Sequence, residues 1–338
     1  MLYLGAKNSN LWVQERTLCL YVVMPLDPLF ADRIHFFDEL AFPEAIKAYE
    51  APLSEYVSPP ITTEERVIYG PNGEIKARLY RPANTSATTD VLPGLVWYHG
   101  GGFTMGDYNM NESDVVAREI AHRLGAVVLG VDYRLVTETQ KFPAPQLDGI
   151  ASLQWFGRNT RELGVDPNKI FVGGISAGGC LAASVAVMDR DMGDNYLAGQ
   201  LLNCPIAHKH MPKYSDELQS KLDELPAGFG LSKDFVDQNN VFMVENGDLS
   251  DIEPYWFAGE VEDLRGLAPA QIINCEYDTL RASGELYAKQ LAEAGNKVEV
   301  LTQDSVPHAH INRFPADCKQ MGETLDHMVR FMRETSKS

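Results

Sequence analysis

At 338 residues, with 45% hydrophobic and 22% charged side chains, the chain has the make-up of a globular protein able to bury a large core. Aspartate and glutamate number 47 against 29 lysines and arginines, a formal net charge of −18. That balance excludes the basic footprint demanded by nucleic acid or an anionic membrane, and it would repel a highly anionic substrate.

No apolar run approaches the roughly 20 residues that span a bilayer. The best candidate, Leu18–Met24, is short and follows a polar start containing Lys7 and Asn8, which makes a poor secretory signal. Cys19, Cys180, Cys204, Cys275 and Cys318 are widely spread and form no Cys-x-x-Cys pair. They read as reduced core thiols. These features predict a cytoplasmic protein.

Residues 1 to 60 carry apolar side chains at helical spacing, Phe30, Ile34, Phe37 and Leu40 among them, and close on Pro59-Pro60. They predict a helical extension. Glu65–Tyr69 and Glu74–Tyr80 alternate on either side of Pro71-Asn72-Gly73, a hairpin signal. Leu95–Tyr98 is a short, fully apolar strand of the kind a parallel sheet buries. A rhythm of helix and strand follows: Ser113–Leu124 (amphipathic helix), Ala126–Val131 (strand), Pro145–Asn159 (helix), Lys169–Val172 (strand), Gly179–Met188 (helix) and Leu201-Leu202 (strand). Between Pro205 and Glu262 the alternation breaks into a polar, irregular stretch with Tyr255-Trp256-Phe257 near its end. It resumes with strand Ala270–Cys275, helix Ser283–Ala294 and strand Val298–Leu301, and ends on a helix with Met321, Leu325, Met328 and Met332 along one face. Such alternation implies an α/β fold, a mostly parallel central sheet covered by helices on both faces. The expected division is an N-terminal helical cap segment over 1–60, a core over 61–204 and 263–338, and a cap or lid insertion over 205–262.

Chemistry concentrates at Gly174-Ile175-Ser176-Ala177-Gly178, between a buried strand and a small-residue helix. Gly-x-Ser-x-Gly in that setting is a nucleophile elbow: a sharp turn pushes the serine hydroxyl out at a helix N-terminus, where free N–H groups favour negative charge. The same glycine-rich turn could cradle a phosphate, but no Gly-Lys-Ser/Thr ending follows. A serine nucleophile needs a base, and the base an orienting acid. His208 and His210 fall in the insertion and are expected to face solvent, while His327 lies within the final helix. His308 and His310 follow the last strand, where α/β sites assemble, so one of them is the base. Glu276 and Asp278, after the preceding strand, are both candidates for the acid. Asp304 is nearer in sequence to His308 but shares its loop. Oxyanion donors should come from Ala177 and from His99-Gly100-Gly101-Gly102-Phe103, where consecutive glycines let backbone N–H groups approach a ligand.

Taken in order, His99–Phe103, Val131-Asp132-Tyr133-Arg134-Leu135, Gly174–Gly179, Asp278-Thr279-Leu280-Arg281 and Val306-Pro307-His308-Ala309 resemble the hormone-sensitive-lipase-like branch of the α/β-hydrolases, from about residue 65 to the end. The resemblance implies a serine carboxylesterase with Ser176 as nucleophile, Asp278 as acid, His308 as base, and Gly101, Gly102 and Ala177 as oxyanion donors. It implies no cofactor and no metal. It also implies that the N-terminal helices and the 205–262 insertion cap the acyl and alcohol pockets. Three positions depart from the branch: Ile175 stands where Asp is usual, Val136-Thr137-Glu138 replaces Ala-Pro-Glu, and Ala309-His310 replaces a Gly-aromatic pair. The expected substrate is a neutral, fairly hydrophobic small-molecule ester with a short or medium acyl group, with a lactone or natural-product ester as a variant. Amide or formamide hydrolysis by the same triad is the enzymatic rival, and a non-catalytic ligand receptor on the same fold the other. Oligomeric state is left open, a homodimer being the candidate assembly.

Overall fold

A computed structural model of the chain describes residues 26–40, 42–87, 89–225, 229–250 and 252–335. Leu18–Met24 and Cys19 lie outside the described residues. One eight-stranded sheet, in the order β1-β2-β4-β3-β5-β6-β7-β8, organises the chain. Strands β1 (Ile61–Gly70) and β2 (Gly73–Pro82) form the expected hairpin, and β2 also runs antiparallel to β4 (Val127–Asp132). From β4 onward the pairs are parallel, through β3 (Leu92–Tyr98), β5 (Val165–Ile175), β6 (Leu197–Asn203), β7 (Ala270–Tyr277) and β8 (Val298–Pro307).

Short helices α1 (Pro28–Ala31), α2 (Phe36–Glu39) and α3 (Phe42–Glu50) precede the sheet. Helices α4 (Asn111–Ile120), α5 (Ala144–Arg158), α6 (Thr160–Leu163) and α7 (Ala177–Asp191) link its central strands. After the insertion come α10 (Arg281–Glu293) and α11 (Lys319–Glu334), and the insertion itself supplies α8 (Asp216–Asp223) and α9 (Lys233–Phe242). Alternate residues of the inner strands feed two cores. Val96, Tyr98, Val172 and Leu202 pack on one face with Leu153 of α5 and Leu181 of α7. Leu95, Trp97, Phe171 and Leu201 pack on the other with Val116 of α4 and Leu325 and Met328 of α11. A strand buried on both faces has no polar alternate position, which is why β3 reads as a continuous apolar run.

Several elements are longer or more regular than expected. Strand β8 runs six residues past Leu301 to Pro307, so Asp304 lies on the strand and not in a loop. As an edge strand it leaves Val300 and Asp304 exposed and lacks the apolar density of its neighbours. The insertion is not irregular: Ser215 and Ser232 accept hydrogen bonds from Leu218 N and Phe235 N, each 3.1 Å, capping α8 and α9. Helix α4 ends at Ile120 and passes into a wider turn over Ala121–Gly125.

Candidate active site

Ser176 occupies the tight turn between β5 and α7, with φ 55° and ψ −116°, a conformation side chains rarely adopt. The turn closes because residue 178 is glycine: a Cβ there would stand 2.1 Å from Tyr98 O and 2.4 Å from His99 O. Ser176 N also donates to Asn203 O at 2.9 Å, tying the elbow to the end of β6.

Two further strand ends complete a hydrogen-bonded line. His308, directly after β8, places Nε2 3.1 Å from Ser176 Oγ and Nδ1 2.7 Å from Asp278 Oδ2. Asp278 follows β7, is buried, and accepts a second hydrogen bond from Leu280 N at 2.9 Å. Burial opposes protonation of His308, but the charge and hydrogen bond of Asp278, joined by the Cys204 thiol, leave its pKa above the ordinary imidazole value. Among the described residues, Cys204, Asp278 and His308 form the one grouping of metal-type donors, within 4.8 Å of one another. The hydrogen bond between Asp278 and His308 engages two of those three.

The other acids and histidines weighed from sequence lie outside this line. Glu276 pairs with Lys221 at 2.7 Å and accepts Ser305 N at 2.6 Å. Asp304 is exposed. His310 is buried, its ring bonded to Cys275 Sγ at 3.1 Å and Thr324 Oγ1 at 2.8 Å. His210 is exposed, as expected, but His208 is not: it is buried, held by Ser283 Oγ at 2.9 Å and Gln290 Oε1 at 3.1 Å. The chain turns inward after β6, and α10 supplies both partners.

Beside the elbow, the loop after β3 turns through Gly101 (φ 103°) and Gly102 (φ 60°). A Cβ on Gly101 would lie 2.1 Å from Met105 O. Ala177, whose N–H is the remaining expected donor, is the first residue of α7. Three contacts that sequence reasoning did not assign brace this loop. Tyr133, following β4, stacks on His99 with ring centroids 4.1 Å apart and donates its hydroxyl to His99 O at 2.8 Å. Asn239 of α9 donates to Gly102 O at 3.2 Å, so the insertion reaches the loop directly. Glu112, in the first turn of α4, accepts the Gly100 N–H at 2.7 Å. Of these, Tyr133 was visible as part of a motif without a role. Glu112 was not singled out, because the expected helix began one residue later, at Ser113.

A cavity of about 180 Å³ opens beside His308 and Asp278, its lining including Leu222, Leu225, Phe229 and Leu231 together with the polar Gln219 and Thr279. Among the described residues, no helix is long and apolar enough to cross a membrane.

A family model described as alpha/beta hydrolase fold matches residues 95–312. The chain is 35% identical over 281 residues to carboxylesterase NlhH of Mycobacterium tuberculosis, covering 80% of this chain and 83% of that protein. It is 34% identical over 303 residues to the carboxylic ester hydrolase LipN of the same organism, covering 86% and 78%. A hyperthermophilic esterase from the archaeon Pyrobaculum calidifontis superposes with a TM-score of 0.72 at 34% identity, covering 81% of this chain and 86% of its own. The protein therefore belongs to the hormone-sensitive-lipase-like carboxylesterase family of α/β-hydrolases.

Proposed function

We propose that Ser176, His308 and Asp278 are the nucleophile, base and orienting acid of this serine carboxylester hydrolase, and that the main-chain N–H groups of Gly101, Gly102 and Ala177 receive the oxyanion. One observation carries the reading: the unbroken line from Ser176 Oγ to His308 Nε2 (3.1 Å) and from His308 Nδ1 to Asp278 Oδ2 (2.7 Å). His308 takes the serine proton as Oγ attacks the ester carbonyl, and returns it to the departing alcohol. Water, deprotonated by the same imidazole, then clears the acyl-enzyme. Asp278 keeps the proton of neutral His308 on Nδ1 and stabilises the cation formed in each half-reaction.

The substrate in this reading is a neutral, fairly hydrophobic ester with a short or medium acyl group. The leucine- and phenylalanine-lined cavity of about 180 Å³ beside His308 supports a small apolar group there. Residues 1–60 and 205–262 act together as a cap in the same reading. Rings from both meet in support of it, Phe229 lying 5.5 Å from Phe37 and 5.4 Å from Tyr49. A cytoplasmic location belongs to this reading too, and the buried free thiols of Cys180, Cys204, Cys275 and Cys318 support it.

A panel of p-nitrophenyl esters from acetate to laurate, with lactones and aryl formamides alongside, tests the proposal. Short and medium esters should be turned over fastest. Ser176→Ala should lose kcat on the order of 10⁶-fold and fail to react with a fluorophosphonate probe that labels the wild type. Substantial esterase activity in Ser176→Ala would overturn the assignment.

A further inference from the structure

We propose that Glu112 is a positioning residue of the oxyanion loop, holding the Gly100 peptide through its side-chain carboxyl group and doing so in the neutral form. The inference rests on the reading of the site given above. Three successive glycines make the loop at residues 100–102 intrinsically loose, whereas oxyanion donors act by being fixed before charge develops. The Gly100 N–H donates to Glu112 Oε1 at 2.7 Å, which sets the orientation of the peptide leading into Gly101 and Gly102. Glu112 is itself held: its main-chain oxygen accepts the Trp97 indole N–H at 3.1 Å, and Trp97 is wholly buried on β3. The carboxyl group thus bridges the end of β3 and the start of α4, across the loop whose shape matters.

Its surroundings favour the uncharged acid. Glu112 is 2% exposed and its second oxygen, Oε2, has no hydrogen-bond partner among the described residues. Ile175 flanks the same peptide: a Cβ on Gly100 would lie 3.3 Å from Glu112 Oε1 and 3.4 Å from Ile175 Cγ2. The charged groups whose fields reach it are Asp107 in the loop and Glu50 from α3, both acidic. Tyr133, which stays protonated, faces it from beyond β4, and the neighbouring His99 is driven neutral by burial, its pKa lowered to about 4. Burial, opposed in part by the hydrogen bond from Gly100, raises the Glu112 carboxyl to about 8. At neutral pH the uncharged acid holds the loop. Above that pKa a buried negative charge appears one peptide from Gly101, where it opposes the negative charge that forms on the substrate oxygen.

The test is kcat and KM for p-nitrophenyl butyrate between about pH 6 and about pH 10 in wild type, Glu112→Gln and Glu112→Ala, with Ser176→Ala alongside. Relative to Glu112→Gln, which shares the titration of His308, wild-type kcat should fall as pH rises through about 8. Glu112→Gln keeps an acceptor for Gly100 N–H but cannot ionise. Its kcat at neutral pH should stay within about threefold of wild type, and the alkaline fall should vanish. Glu112→Ala removes the acceptor and should lower kcat by about tenfold or more with KM changed by less than about twofold. A shared alkaline limb in wild type and Glu112→Gln, or no fall in wild type relative to Glu112→Gln, overturns the proposal, and both results stand even if Glu112→Ala does not fold. Turnover retained by Ser176→Ala would instead overturn the reading of the site, and this proposal with it.

Discussion

Two histidines separated by a single residue meet opposite fates in this protein. Ala309 adopts φ 60° and ψ 33°, and the turn sends His308 toward Asp278 and His310 into the core beneath. Burial, partly offset by a hydrogen bond at Gln320, lowers His310 to about 3, so its ring is neutral and can donate from one nitrogen while accepting at the other. It thereby links Cys275 Sγ to Thr324 Oγ1. Replacing it with phenylalanine strips partners from two buried groups, although Thr324 keeps Gln303 Nε2 at 3.0 Å. His310→Phe should therefore lose about 1–3 kcal/mol of stability in denaturant titration, with ester kcat moved by less than about threefold. A collapse of kcat in a variant of unchanged stability would instead place His310 in the chemistry. Chain order and position after the last strand narrowed the base to these two residues, and the resemblance chose His308. Neither could show what His310 does, because its partners come from β7 and α11. The same holds for Glu112: its partner is a backbone N–H twelve residues earlier, reached only once α4 folds back beside β3.

At the scale of elements, what was legible follows from periodicity and what was missed follows from its absence. Strands β3 and β4 and helices α5, α7 and α11 are buried on faces their apolar patterns mark and lie within a few residues of where the pattern placed them, whereas β5 runs from Val165 to Ile175, well beyond the expected Lys169–Val172. Strand β8 was cut short because its outer half carries Gln303, Asp304 and Ser305, which an edge strand tolerates. The insertion helices were missed although serines that proved to be caps stood at 215 and 232. Glycine patterns carry a sharper prediction, because the close approach that makes one indispensable is local. Gly178→Ala drives a methyl group into Tyr98 O and His99 O, the point where β3 delivers the oxyanion loop. It should cost about 3 kcal/mol or more, or yield insoluble protein. Gly322, within α11, would bring an added Cβ within 4 Å of nothing among the described residues, and Gly322→Ala should stabilise by about 0.5–1 kcal/mol. Opposite shifts in melting temperature check the pair. Equal effects would mean that α7 and β3 are not pressed together at the elbow.

Across the whole molecule the dominant long-range feature is charge, and it bears on which esters reach Ser176. With a net charge of −18, the protein repels an anion before any contact is made. Nor, among the described residues, does the cavity beside His308 offer an uncompensated lysine or arginine: Lys233, which lines it, is paired with Asp237 at 2.8 Å. A neutral ester feels none of this. The field reaches about 30 Å at 0.01 M salt and only about 8 Å at 0.15 M, so the penalty on an anionic ester should shrink as salt is added. Raising ionic strength across that range should increase kcat/KM for an aryl hemisuccinate several-fold. That for the matching aryl acetate should change by less than about twofold. The ratio of the two cancels effects of salt on the triad itself, since both substrates acylate the same serine. A hemisuccinate already preferred at low salt, or a ratio indifferent to salt, would show that a local cation outweighs the global field at the mouth of the site.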